Sequence, residues 1–155
     1  MFKFFSNLAS RTKATERDRA LYALKRGELS NAETQFTALL SADALPADER
    51  AFLLNKRGAA RARLDGAEPA RADFEEALKL VPDYAPALVN LGNVLLENGR
   101  LEDAVASYER AIAADAGYAA AYFNLSVARK HQGEFAAAVR ALRTAQKLEA
   151  RSPNR

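Results

Sequence analysis

The sequence predicts an all-α fold of repeated helix pairs, an α-solenoid rather than a globule, and three observations carry that prediction. Shifting the chain by 34 residues superposes Gly58, Gly92 and Ser126 in one column and Leu54, Leu88 and Tyr122 in another. The same shift aligns Ala70, Ala104 and Ala138, then Phe74, Tyr108 and Leu142, then Ala77, Ala111 and Ala145. Self-similarity at a period of this size marks stacked supersecondary units. Second, Tyr84 to Ala114 reads at a period near 3.6 as two amphipathic helices joined at Asn98-Gly99. Leu88, Leu91 and Leu95 line one of them; Leu101, Ala104, Tyr108, Ala111 and Ile112 line the other. Third, hydrophobic residues make up 49% of the chain and alanine supplies much of that. Such stripes favour close helix–helix contact over one thick core, and a lone pair cannot bury its own stripe.

Along the chain, Met1 to Lys13 lies outside the repeats. The first copy, about residues 14–47, diverges: Gly27, Ala32, Phe36 and Leu39 sit 38 residues before their counterparts, the extra four falling in Ser41 to Asp48, where Pro46 ends a helix. Ser30 followed by Glu33 has the spacing of a capping box for its second helix. The second copy, about 48–82, opens near Asp48 as an N-cap, runs to about Leu64, turns at Asp65-Gly66 and restarts with Pro69 in the first turn. Asp83 and Pro86 open the third copy, about 83–116, and Gly117 the fourth, about 117–150. Arg151 to Arg155 reads as a frayed polar tail.

The columns of small residue, Gly, turn Gly, Ala, aromatic, Ala and Pro, with Pro82 closing the second copy, resemble the tetratricopeptide repeat family over about residues 13–150. The family's usual Trp in the first helix is absent. The resemblance implies a right-handed solenoid of four repeats whose first helices line a concave groove that holds an extended peptide or a partner helix. It places Asn55, Lys56 and Arg63 of the second repeat, Val89, Asn90 and Asn93 of the third, and Phe123, Asn124 and Val127 of the fourth in that groove. Asn is a mediocre helix former, and its amide matches a peptide backbone with one donor and one acceptor group. Asn90 and Asn124 share a column that related proteins use to hold ligand main chain. Some relatives grip a C-terminal carboxylate with a clamp of two Lys, two Asn and an Arg. Here Ala59, Ala120 and Asn124 stand where an Asn, a Lys and an Arg are needed, which argues against binding of that type.

Composition removes other classes. Net charge is only +3, with 23 basic and 20 acidic side chains interspersed, so no basic patch for nucleic acid stands out in the linear sequence. The absence of cysteine excludes disulfides and thiolate metal sites. The lone His131, near a helix end, has no Ser/His/Asp grouping or zinc ligand set around it. Gly99 and Gly133 are turn glycines rather than a phosphate loop. No enzyme, cofactor or metal is expected. No apolar run approaches the roughly 18 residues that span a bilayer, so the expected location is the cytoplasm.

Two further surfaces bear on partners. Phe2, Phe4, Phe5 and Leu8, with Lys3, Arg11 and Lys13, fail as a secretory signal because the apolar run is short and interrupted. They read as packing on the first repeat, as a docking or self-association segment, or as a weak membrane-surface anchor. At the other end, Ala136, Ala137 and Ala141 form a small-residue face with no polar capping helix after it, which suits self-capping or end-to-end assembly. The expected function is an adaptor that binds a peptide or helix, acidic or amphipathic because Lys25, Lys56, Arg63 and Lys130 outnumber Asp18 and Glu97 in the groove. The alternative is a self-assembling structural subunit.

Overall fold

A computed structural model describes residues 15–64 and 66–151, and all regular structure among them is helical. Helix α1 covers residues 15–26. It is followed by α2 (Leu29–Leu40), α3 (Ala47–Leu64), α4 (Ala67–Leu80), α5 (Ala85–Glu97), α6 (Leu101–Ala114), α7 (Ala119–His131) and α8 (Phe135–Arg151). The predicted all-α arrangement of four helix-turn-helix pairs is therefore present, and the helix ends expected at Leu64 and at Asn98-Gly99 are where the sequence places them. Phe2, Phe4, Phe5 and Leu8 lie outside the described residues, as do Asp65 and residues 152–155. None of the described helices is long and apolar enough to cross a membrane. The chain divides into two compact units, residues 1–76 and 77–155.

In the first unit, Gly58 of α3 faces Phe74 of α4, which is 1% exposed. Beside that contact lies an ion cluster. Asp73, 4% exposed, accepts from Arg57 at Nε (2.9 Å) and Nη2 (2.7 Å), and from Arg61 Nη1 at 3.2 Å to each carboxylate oxygen. Arg61 Nε also donates to Glu33 at 2.8 Å, so one cluster ties α2, α3 and α4 together. The expected capping box of Ser30 and Glu33 is absent, because Ser30 lies inside the helix. Helix α2 starts at Leu29 with Glu28 in the cap position and no side-chain cap bond. Glu33 is engaged by a guanidinium, a charge-assisted bond roughly twice as strong as a neutral one. Asp48, expected as an N-cap, is instead inside the first turn of α3. The four extra residues fall in the α2–α3 connection, residues 41–46, where Arg50 donates to the carbonyls of Leu40 and Ala42 (3.3 Å each). Carbonyls at the end of a helix have no partner within it.

In the second unit, the α5–α6 pair repeats the small-against-large contact with Gly92 and Tyr108. Tyr108, Leu88, Ala104 and Ala111 are all 0% exposed and form one cluster with Ala121 and Ala128 of α7. Helix α5 starts with Tyr84 in the cap position and Pro86 in its first turn, so the cap falls one residue after the expected Asp83. Its end is a Schellman turn: Gly99 takes φ +74°, and Arg100 N–H donates to Leu95 O at 2.9 Å. The α7–α8 turn is built alike, with Gly133 at φ +79° and Glu134 N–H on Arg129 O at 2.9 Å. Helix α7 packs on α6 and α5. Arg129 seals the contact by pairing with Glu109 of α6 while also binding Glu134 at 2.8 Å.

Candidate interaction site

The residues expected in the groove divide sharply on exposure. Asn55 is 2% exposed and Val89 is 4% exposed, so both belong to the interior rather than to a ligand face. The two occupy the same column of the 34-residue repeat, and Val89 is covered within the cluster that α7 completes. Phe123, next in that column, is 49% exposed. Lys56 is half-buried, its ammonium 5.3 Å from the centre of the Phe52 ring. Arg63 is exposed.

Three of the expected asparagines, Asn90, Asn93 and Asn124, are half-buried in the second unit. Asn93 Oδ1 accepts two bonds, from the Tyr108 hydroxyl at 2.8 Å and from Asn124 Nδ2 at 3.0 Å. One amide oxygen thus joins α5, α6 and α7. Each amide is fixed in orientation by the bond that it makes, leaving the Asn93 amino group and the Asn124 carbonyl oxygen for other partners. The sequence marks Tyr108 only as one residue of its helix's apolar stripe; its hydroxyl proves to be what orients Asn93. A tyrosine in a column held by Phe74 and Leu142 elsewhere is the signal that could have revealed this.

Burial, and secondarily the Glu97 carboxylate, push the Tyr108 hydroxyl up to about 12 from its ordinary value of 10. Burial and then Asp115 raise Tyr118 as well. Because the raised group favours its protonated form in the folded state, its stabilising contribution is complete below about pH 10 and is lost as the pH rises toward 12. Thermal unfolding between pH 9 and pH 11.5 should therefore show a fall in Tm that is smaller in Tyr108→Phe, since phenylalanine has no proton to lose. Equal pH slopes in the two proteins would remove Tyr108 as the source.

Beside the asparagines, Phe123 and Val127 of α7 and Phe135, Val139 and Leu142 of α8 line an apolar groove of about 370 Å³, with Lys130 at its edge. Phe135 is 65% exposed and Val139 46%. Of the expected alanine face, Ala136 is exposed and Ala137 half-buried, whereas Ala141 is only 9% exposed.

Paired helices at a 34-residue period, a small residue opposed to a large one in each inner pair, and glycine-terminated turns define a helical-repeat protein. The tetratricopeptide repeat model matches residues 55–119 and again 89–154, and the chain belongs to that family. Among solved structures, MamA shares 21% identity, covering 98% of this chain and 86% of its own, with a TM-score of 0.73. The Sgt2 domain from Aspergillus fumigatus shares 26% identity over 79% of this chain and 80% of its own, with a TM-score of 0.70. The first such domain of Spaghetti (RPAP3), solved bound to the HSP90 peptide SRMEEVD, shares 22% identity over 80% of this chain and 95% of its own, at a TM-score of 0.69.

Proposed function

We infer that this chain is a non-catalytic protein–protein interaction module, an adaptor that holds a peptide or helical segment of a partner against its first-helix faces. The observation that carries this reading is the double acceptance at Asn93 Oδ1. Two neighbouring amides held in fixed orientation offer a donor and an acceptor to a ligand main chain without first having to be ordered, which lowers the entropic cost of binding. Family membership and the peptide-bound neighbour support the same reading. In the second unit the ligand contacts are Asn90, Asn93 and Asn124, with Phe123 and Val127 as apolar neighbours. In the first unit Lys56 and Arg63 supply positive charge, which favours acidic segments.

The test begins by selecting ligands from a displayed peptide library and measuring the best of them by fluorescence anisotropy. Asn90→Ala combined with Asn124→Ala should weaken binding about tenfold or more, the equivalent of one or two hydrogen bonds. Thermal stability should stay within roughly 1 kcal/mol, since both residues are partly exposed. A double variant that binds normally would remove these asparagines from the site. Because the carboxylate clamp is incomplete, labelled SRMEEVD should give no saturable binding.

A further inference from the structure

The apolar groove between α7 and α8 is the repeat-equivalent of a groove that the molecule fills elsewhere. Moving back 34 residues, Phe123, Lys130, Phe135, Val139 and Leu142 become Val89, Leu96, Leu101, Val105 and Tyr108. Those five belong to or pack against the core cluster of the second unit, where α7 supplies Ala121, Leu125 and Ala128 and the residue at its N-cap is Tyr118. The slot on α5–α6 is thus occupied by one helix with a small and aliphatic face, whereas among the described residues the slot on α7–α8 has no helix upon it.

The charges at the two slots differ in sign. In the filled slot, Glu109 of α6 meets Arg129 of the incoming helix. Its equivalent in the open slot is Arg143, which is exposed, and Leu96 is replaced by the exposed Lys130. Helix α8 adds Arg140, Lys147 and Arg151 against the single acid Glu149. The acceptor Asn93, which meets Asn124 of the incoming helix, becomes the apolar Val127.

We propose that the α7–α8 face is a receptor for one amphipathic helix of a partner protein, with a small and aliphatic face against Phe123, Val127, Phe135 and Val139 and a carboxylate opposite Arg143. The occupant resembles α7 in shape and opposes it in charge at the position of Arg129. This surface is separate from the asparagine strip, although Phe123 and Val127 border both, so the discriminating variants lie on α8.

The probe is a labelled synthetic peptide with the sequence of residues 117–132 carrying Asn124→Leu and Arg129→Glu, titrated with the full chain by fluorescence anisotropy. A second peptide retains Arg129 and carries only Asn124→Leu. The expected result is saturable binding of the Glu peptide. Arg143→Glu should weaken it about tenfold, as for a close interfacial charge pair, and improve binding of the Arg peptide. Val139→Asp, at an exposed position, should abolish binding of both while leaving the circular dichroism melt intact. Asn90→Ala with Asn124→Ala in the protein should leave the Glu peptide's affinity unchanged, which separates this surface from the peptide-binding reading. No saturable binding by either peptide, or affinities indifferent to residue 143, would overturn the proposal. So would a concentration-dependent dimer in sedimentation that Val139→Asp dissolves, because a second copy would then be the occupant.

Discussion

Replacing Gly92 with alanine is expected to destabilise the protein by about 2 kcal/mol, the ordinary cost of overfilling a packed interior. Helix propensity alone predicts the opposite sign, since alanine is better than glycine in a helix by about 1 kcal/mol. Geometry decides between them. A Cβ on residue 92 would lie 2.5 Å from Tyr108 Cε1 and 2.9 Å from both Cδ1 and Cζ. The ring is fully buried and its hydroxyl is bonded to Asn93, so it has no room to retreat and an anchor that opposes retreat. The chain also supplies the remedy. One repeat on, Ser126 carries a Cβ in the column of Gly92, and the column of Tyr108 holds Leu142 rather than an aromatic. Gly92→Ala combined with Tyr108→Leu should therefore lose less than the sum of the two single changes, a coupling measurable by urea unfolding in a double-mutant cycle. A rise in the Gly92→Ala midpoint would show that the ring yields at little cost. Gly58 meets Phe74 Cε1 at 2.6 Å and should respond in the same direction.

Asp73→Ala should be at least as damaging, at about 3 kcal/mol or more, because removing one partner of a buried ion pair leaves the remaining charge uncompensated. The Asp73 side chain is 5% exposed, and those of Arg57 and Arg61 are 16% and 23% exposed. Two guanidinium groups would lose their common carboxylate, and Arg57 would retain only a long contact to Thr37 at 3.4 Å. Glu75→Ala on the same helix is the control. Its pair with Arg71 spans 3.5 Å and its side chain is 51% exposed, so the expected loss is about 0.5 kcal/mol or less. Urea unfolding of both variants should separate them clearly. Near-equal losses would mean that the cluster contributes no more than a surface pair.

The fold was legible because each signal for it is local or periodic. The helical spacing of apolar residues marks helices, glycine marks their ends, and the 34-residue columns show which residues are equivalent; that Gly58 meets Phe74 and Gly92 meets Tyr108 is what the structure adds. Site residues were harder to read, because a helix that packs on neighbours along more than one side has only a narrow exposed strip. One position, or about 100° around the helix, separates the buried Val89 from the half-buried Asn90. Asn55 misled for a related reason: a polar residue in a first helix suggested a ligand face, whereas its column mate Val89 is interior. The Asp73 cluster left no mark in the columns, since the equivalents of Arg57, Arg61 and Asp73 are Leu91, Leu95 and Ser107. An ion cluster used in one repeat only is invisible to a method that compares repeats.

The bond from Tyr108 to Asn93 also has an optical consequence. The chain has five tyrosines and no tryptophan, so no indole acceptor drains tyrosine emission by energy transfer. The phenol of Tyr108 shares its acceptor oxygen with Asn124, so a ligand bound at Asn124, as proposed above, would alter the polarity around a buried fluorophore. Tyrosine emission would then report occupancy without an added dye.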